Sequence, residues 1–138
     1  MRIDAIQNGI VIDHITAGRG MELYNLLKLE ELDVSIAIIK NVVSEKLGRK
    51  DIIKIDAVIP VNLDVIGYVD PNATVNIIKD GVLTEKRSIE LPETLTDVLF
   101  CKNPRCITQT EQELRHVFKL TEWKTREYRC VYCETKAN

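Results

Sequence analysis

All four cysteines of this 138-residue chain fall in two close pairs, Cys101 and Cys106 as C-x4-C and Cys130 and Cys133 as C-x2-C, with 23 residues between the pairs. Each pair can sit on a tight backbone knuckle, and two knuckles joined by a hairpin can present four thiolates tetrahedrally to one ion. Four thiolates favour zinc over hard cations and leave no position for water or substrate. The expected cofactor is therefore one structural Zn2+ per chain, held by Cys101, Cys106, Cys130 and Cys133. Iron in a rubredoxin-like setting is the other metal this donor set accommodates, and His116, inside the loop between the pairs, could replace one thiolate.

Two disulfides would suit a secreted protein, but no apolar signal segment opens the sequence, and a chain with 45% hydrophobic residues hardly needs staples. A redox C-x-x-C should open a helix after a strand, whereas Cys130 and Cys133 follow the strand-like residues 123–129 and come almost at the end. Residues 95–138 offer a thin core, chiefly Leu95, Val98, Leu99, Phe100, Val117, Phe118, Leu120, Trp123, Val131 and Tyr132. Metal binding should then be coupled to folding of this part.

A joint is expected at Leu91-Pro92-Glu93-Thr94, because Pro92 cannot donate to a sheet ladder and biases Leu91 toward an extended conformation. It divides the chain into residues 1–94, with net charge −4, and residues 95–138, with net charge +2. A total of −2 supplies no large cationic field for nucleic acid. No run of about twenty apolar residues and no lipidation motif points to a membrane, so the expected location is the cytoplasm.

Residues 2–6 and 10–15 are β-branched segments separated by Gln7-Asn8-Gly9, a hairpin or bulge signal. Along the second segment Asp13 and His14 should point to opposite faces. Residues 18–29 carry the helical spacing of Met21, Leu23, Tyr24, Leu26 and Leu27. A strand over 34–39, a loop over 44–49 and a strand over 50–57 follow. In the last of these Lys50, Ile52, Lys54 and Asp56 share one face, while Ile53, Ile55 and Ala57 line the other. Asn62 can cap a short helix over 63–68, a strand over 73–78 comes next, and Lys79-Asp80-Gly81 turns into a partner strand over 82–91. The order β-α-β-β-α-β-β predicts an α+β protein. Its N-terminal domain is ferredoxin-like, an antiparallel sheet with two helices on one face, followed by a small zinc-ribbon or rubredoxin-like β domain.

The face without helices needs water or another protein. Asp13 or His14, Lys50, Lys54, Asn76 and Lys86 could gather on or near it, and cations with Asn and Asp groups can recognise phosphate, ribose and base. A solvated face with scattered lysines is the competing reading. Gly18-Arg19-Gly20 lacks the rest of any phosphate-loop fingerprint, and no nucleophile, base and orienting group can be assembled from spacing. Nothing here reads as an active site.

Val11-Ile12-Asp13-His14-Ile15, the run from Gly48-Arg49-Lys50 through Lys54-Ile55, Ala73-Thr74-Val75-Asn76 and the two knuckles, in that order, resemble the regulatory chain of aspartate carbamoyltransferase over essentially the whole sequence. The resemblance implies a non-catalytic subunit for allosteric control of pyrimidine biosynthesis. Residues 1–94 would bind nucleoside triphosphate effectors and form a homodimer through the sheet, while residues 95–138 would bind zinc and dock on the catalytic chain. It assigns effector contacts to Asp13, Lys50, Lys54, Asn76 and Lys86, with backbone help around Ile6, Val11 and Ile78 and with His14 adjoining. The sequence departs from that pattern at Asp80-Gly81, at Val42-Val43, and in starting almost directly on the first strand. A free-standing zinc ribbon that binds nucleic acid is the alternative.

Overall fold

The computed structural model of the chain describes residues 6–137. The chain divides between Leu91 and Pro92 into two compact units, and Thr94 already opens a strand of the second. In the first unit the elements run β1 (Gly9–Thr16), α1 (Gly20–Leu26), β2 (Ile36–Ser44), β3 (Gly48–Ile55), α2 (Leu63–Val69), β4 (Thr74–Lys79) and β5 (Val82–Ser88). They form a five-stranded sheet of order β2-β3-β1-β4-β5 with every pairing antiparallel. α1 packs on α2 as well as on β2 and β3, so the helices share one face. This is the expected ferredoxin-like β-α-β-β-α-β arrangement with β5 added at an edge. The strand expected over residues 2–6 lies outside the described residues except for Ile6.

The isoleucines at alternate positions of the central strands build the core. Ile10, Ile12, Ile53, Ile55 and Val75 are buried against Leu23 of α1 and Val65, Ile66 and Val69 of α2. Strict alternation fails once on β1, where Ile12 pairs with Ile53 but Ile15 pairs with Asp51, so Asp13 and His14 together oppose Ile52. This β-bulge shifts the side-chain parity and returns Ile15 to the core, where it is fully buried. His14 takes up the bulge with φ 58°. A second bulge on β2 places Lys40 and Asn41 opposite Asp51, with Asn41 at φ 60°.

Several boundaries differ from the periodicity. The helix expected over 18–29 is only Gly20–Leu26, because Gly18 turns at φ 96° and Lys28 adopts the left-handed conformation at φ 56° before a 3-10 turn, Leu29–Glu31. The carboxylate of Asp51 accepts the Gly18 and Gly20 N–H groups at 3.1 and 2.9 Å, which holds the entry loop and delays the first helical turn. β2 starts two residues later and runs past 39 to Ser44, and β3 starts at Gly48 rather than 50, so the loop expected over 44–49 shrinks to 45–47. α2 begins as expected, with the Asn62 side chain accepting from the Asp64 and Val65 N–H groups. β5 ends at Ser88 rather than 91 and is exposed throughout.

The second unit is a three-stranded antiparallel sheet, β6 (Thr94–Thr96), β7 (Val117–Glu122) and β8 (Glu127–Cys130), in sequence order. The strand expected over 123–129 is shorter, since residues 123–126 form the β7–β8 turn with Arg126 at φ 55°. Trp123 is correspondingly 72% exposed and not core. What remains inside is Leu95, Phe118 and Tyr128, whose hydroxyl donates to the Pro92 carbonyl. That is little apolar mass for an independent fold, which places weight on the cysteine cluster below.

Candidate functional site

The two knuckles bring all four thiols together, every Sγ lying within 4.8 Å of the others. Cys101 and Cys133 Sγ are 3.5 Å apart, and Cys106 and Cys130 Sγ 3.7 Å. A tetrahedral zinc with Zn–S bonds of about 2.3 Å holds its sulfurs about 3.8 Å apart, so the donor set fits one such ion. The first knuckle is closed by the Cys106 N–H donating to the Asn103 carbonyl at 3.0 Å. In the second, the Glu134 N–H donates to the Cys130 carbonyl and the Cys130 N–H to that of Thr135, with Glu134 at φ 63°. Cys101, Cys106 and Cys130 are buried, and Cys133 is partly exposed.

His116 does not join the donors. Its Nδ1 accepts the Cys101 N–H at 3.2 Å, and its ring meets Phe100 edge-on at 4.9 Å, so it supports the first knuckle from behind. Burial and the neighbouring thiols push Cys101 up to about 12, and burial also raises Cys130. The Thr135 hydroxyl, aided by its backbone N–H, instead holds Cys133 down at about 6. Three of the four thiols sit in a pocket built for a charge-neutralising cation, because buried thiolates without one are strongly disfavoured.

On the first unit, the strand registers align a row across the helix-free face. Lys54 pairs with Val11, Val11 with Asn76, and Asn76 with Lys86, running from β3 through β1 and β4 to β5. Ile78, two residues along β4 from Asn76, shares its face and pairs with Gly9, which follows the partly buried Ile6 by three residues. One step the other way on β1, the Asp13 carboxylate takes the Lys50 ammonium at 2.9 Å. Burial raises the Asp13 carboxyl, but the Lys50 and His14 hydrogen bonds outweigh it and leave it below the ordinary range. His14 is held aside by its bulge, with Nδ1 3.1 Å from Thr74 Oγ1.

The face is therefore not a uniform lysine surface. Lys50 is matched by an acid, whereas Lys54 and Lys86 have no ion-pair partner among the described residues. Asn76 Oδ1 is buried with no hydrogen-bond partner there. A buried polar oxygen left unpaired is costly, which makes Asn76 the uncompensated polar group of a row that ends in two lysines without an ion-pair partner among the described residues.

Asp51, Thr74, Asn103 and Thr135 did not stand out in the sequence. For Asp51 a signal existed: it shares the β3 parity of Ile53 and Ile55, so a carboxylate was bound for the core. It is fully buried and accepts the Asn41 N–H at 2.9 Å in addition to those of Gly18 and Gly20. Nothing local marks the Thr74 contact with His14, 60 residues away, or the Asn103–Thr135 contact, 32 residues apart.

Comparison with known proteins follows the same division. Residues 1–90 match the family described as aspartate carbamoyltransferase regulatory chain, allosteric domain, and residues 93–138 match its metal binding domain. The chain is 46% identical over 134 residues to the aspartate carbamoyltransferase regulatory chain of Clostridium botulinum, covering 97% of this chain and 92% of the relative. It is 47% identical over 135 residues to that of Clostridium tetani, covering 97% and 94%. For that of Bifidobacterium longum the identity is 40% over 137 residues, covering 99% of each. With likeness spanning both units and a cysteine cluster fit for one metal ion, the chain belongs to the aspartate carbamoyltransferase regulatory chain family.

Proposed function

We propose that this non-catalytic regulatory chain binds nucleoside triphosphates on the helix-free face of its first unit and docks through its zinc-bearing second unit on an aspartate carbamoyltransferase catalytic chain. The observation that carries the effector site is the Lys54–Val11–Asn76–Lys86 row, within which Asn76 Oδ1 is buried and has no hydrogen-bond partner among the described residues. Lys54 and Lys86 supply charge to phosphate oxygens, Asn76 bonds the nucleotide between them, and Asp13, oriented by Lys50, accepts from its hydroxyls. His14 borders the site, and backbone groups near Ile6, Val11 and Ile78 frame it. Paired copies of the chain would join through their sheets. The complex serves pyrimidine biosynthesis in the cytoplasm. The nucleic-acid alternative has no cationic field behind it, at a net charge of −2.

Calorimetric titration tests the site. Lys54→Ala should weaken nucleoside triphosphate binding by about 1.5 to 3 kcal/mol, roughly 10- to 150-fold, and Lys86→Ala should act similarly. Lys28→Ala and Lys46→Ala, both away from the row, should leave affinity unchanged. Wild-type affinity in Lys54→Ala with loss in either control would mean the wrong face. Co-purification with the catalytic chain tests the partner, and its failure with zinc-loaded protein would remove that part of the reading.

A further inference from the structure

The four cysteines are not held equally. Cys133 is the one that solvent reaches, so a chelator or competing thiol would attack the cluster there first. Around it the two knuckles are joined by contacts other than the thiols themselves. Thr135 Oγ1 lies 3.2 Å from Cys133 Sγ, and Asn103 Nδ2 of the first knuckle donates to that same Oγ1 at 3.1 Å.

The direction of the relay is determined by its ends. Asn103 Oδ1 accepts the Arg105 N–H at 3.0 Å, which leaves the amide nitrogen facing Thr135. The Cys133 thiol donates to Thr135 Oγ1 here; a zinc-bound thiolate has no proton to give, and the Thr135 hydroxyl, its oxygen accepting from Asn103, can then turn its own proton to the sulfur. Both residues are also anchored by main chain: the Asn103 carbonyl accepts from the Cys106 N–H, and the Thr135 carbonyl accepts from that of Cys130. Asn103 and Thr135 thus touch both knuckles at once, through 32 residues of sequence separation.

From this geometry we infer that Asn103 and Thr135 are positioning residues of the metal site, forming a brace that orients the exposed Cys133 sulfur and slows loss of the metal. The inference rests on the zinc reading above and gives two otherwise unremarkable polar residues a role in metal retention. Hydrogen bonds to a metal-bound thiolate fix its orientation and offset its charge, and partners of this kind change metal affinity by about 10- to 100-fold.

The test measures zinc release from the full-length chain to a colorimetric chelator, after elemental analysis of each preparation. Thr135→Val keeps the shape and removes the hydroxyl, and should release zinc at least about tenfold faster. Thr135→Ser restores the hydroxyl and should bring release back to near the wild-type rate. Asn103→Leu should also speed release, and combining it with Thr135→Val should add nothing, because a single relay can be broken only once. Cobalt substitution gives a second readout, since a reoriented thiolate shifts the visible absorption bands in Thr135→Val but not in Thr135→Ser. Release as slow as wild type in Thr135→Val, equal release from the Val and Ser variants, or additive effects of the two sites would overturn the brace while leaving the zinc site standing. Absence of zinc from the wild-type chain would remove both.

Discussion

Asp51→Ala should be the most damaging single substitution in the first unit outside its apolar core. The carboxylate is fully buried, with one oxygen accepting the Gly18 and Gly20 N–H groups at 3.1 and 2.9 Å and the other accepting that of Asn41 at 2.9 Å. Burying the charge is itself unfavourable, but truncation removes the acceptor and leaves three main-chain donors without it. At the low end of about 1.5 kcal/mol for each hydrogen bond to a charged group, the loss is about 4.5 kcal/mol. A domain of this size is stable by roughly 5 to 15 kcal/mol, so the variant should sit near the edge of unfolding. Asp51→Asn separates the contributions. Turned with Oδ1 toward Gly18 and Gly20, the amide would set its NH2 group against the Asn41 N–H, losing one bond and costing about 1.5 to 3 kcal/mol. Urea denaturation followed by amide exchange in β1 and β3 measures both. A loss below about 1 kcal/mol in Asp51→Ala, or equal losses in the two variants, would refute the three-donor account, since that account requires a cost well above the ordinary surface value and one that grows with bonds lost.

Other expectations follow from the same contacts. Cys130→Ser should loosen residues 92–138 and leave β1 to β5 folded, read by amide exchange across both units, because their cores are separate. Stripping the metal with a chelator should do the same, and unchanged exchange in the second unit would contradict the coupling of metal to fold. Zinc affinity should fall with falling pH and fall more steeply below about pH 6, where Cys133 also becomes a thiol that must lose its proton; Cys101, pushed up to about 12, enters as a thiol throughout. Calorimetry in buffers of different ionisation enthalpy counts those protons. The Asp13 carboxyl is held below its ordinary 3.8, so its pair with Lys50 stabilises the fold above that pH and is lost as pH falls through the lowered value. Asp13→Asn should flatten this part of the acid-side stability profile, and an unaltered profile would show the pair to be idle.

Chain-local chemistry was decisive for what sequence by itself determined. The C-x4-C and C-x2-C spacings are short enough that the knuckles follow from neighbouring residues, and the thiols do converge. Asn62 caps α2 because its acceptors are two and three residues on. Asp80-Gly81 turns between β4 and β5 because both residues take positive φ, at 53° and 75°. The alternation of β3, with Lys50 and Lys54 on one side and Ile53 and Ile55 on the other, was equally legible. Only the tertiary structure decided which lysine has an acidic partner among the described residues. Lys50 and Lys54 share one parity, yet the Asp13-His14 bulge sets Asp13 against Lys50, while the β3–β1–β4 register sets Val11 beside Lys54 and Asn76 on the far side of Val11. Bulges, strand order and the partners of Asp51 and Thr135 arise from segments 10 to more than 30 residues apart. Side-chain period is a property of a strand alone; register and hydrogen-bond partners are properties of which strands meet, and that is chosen by burial of the whole isoleucine core at once.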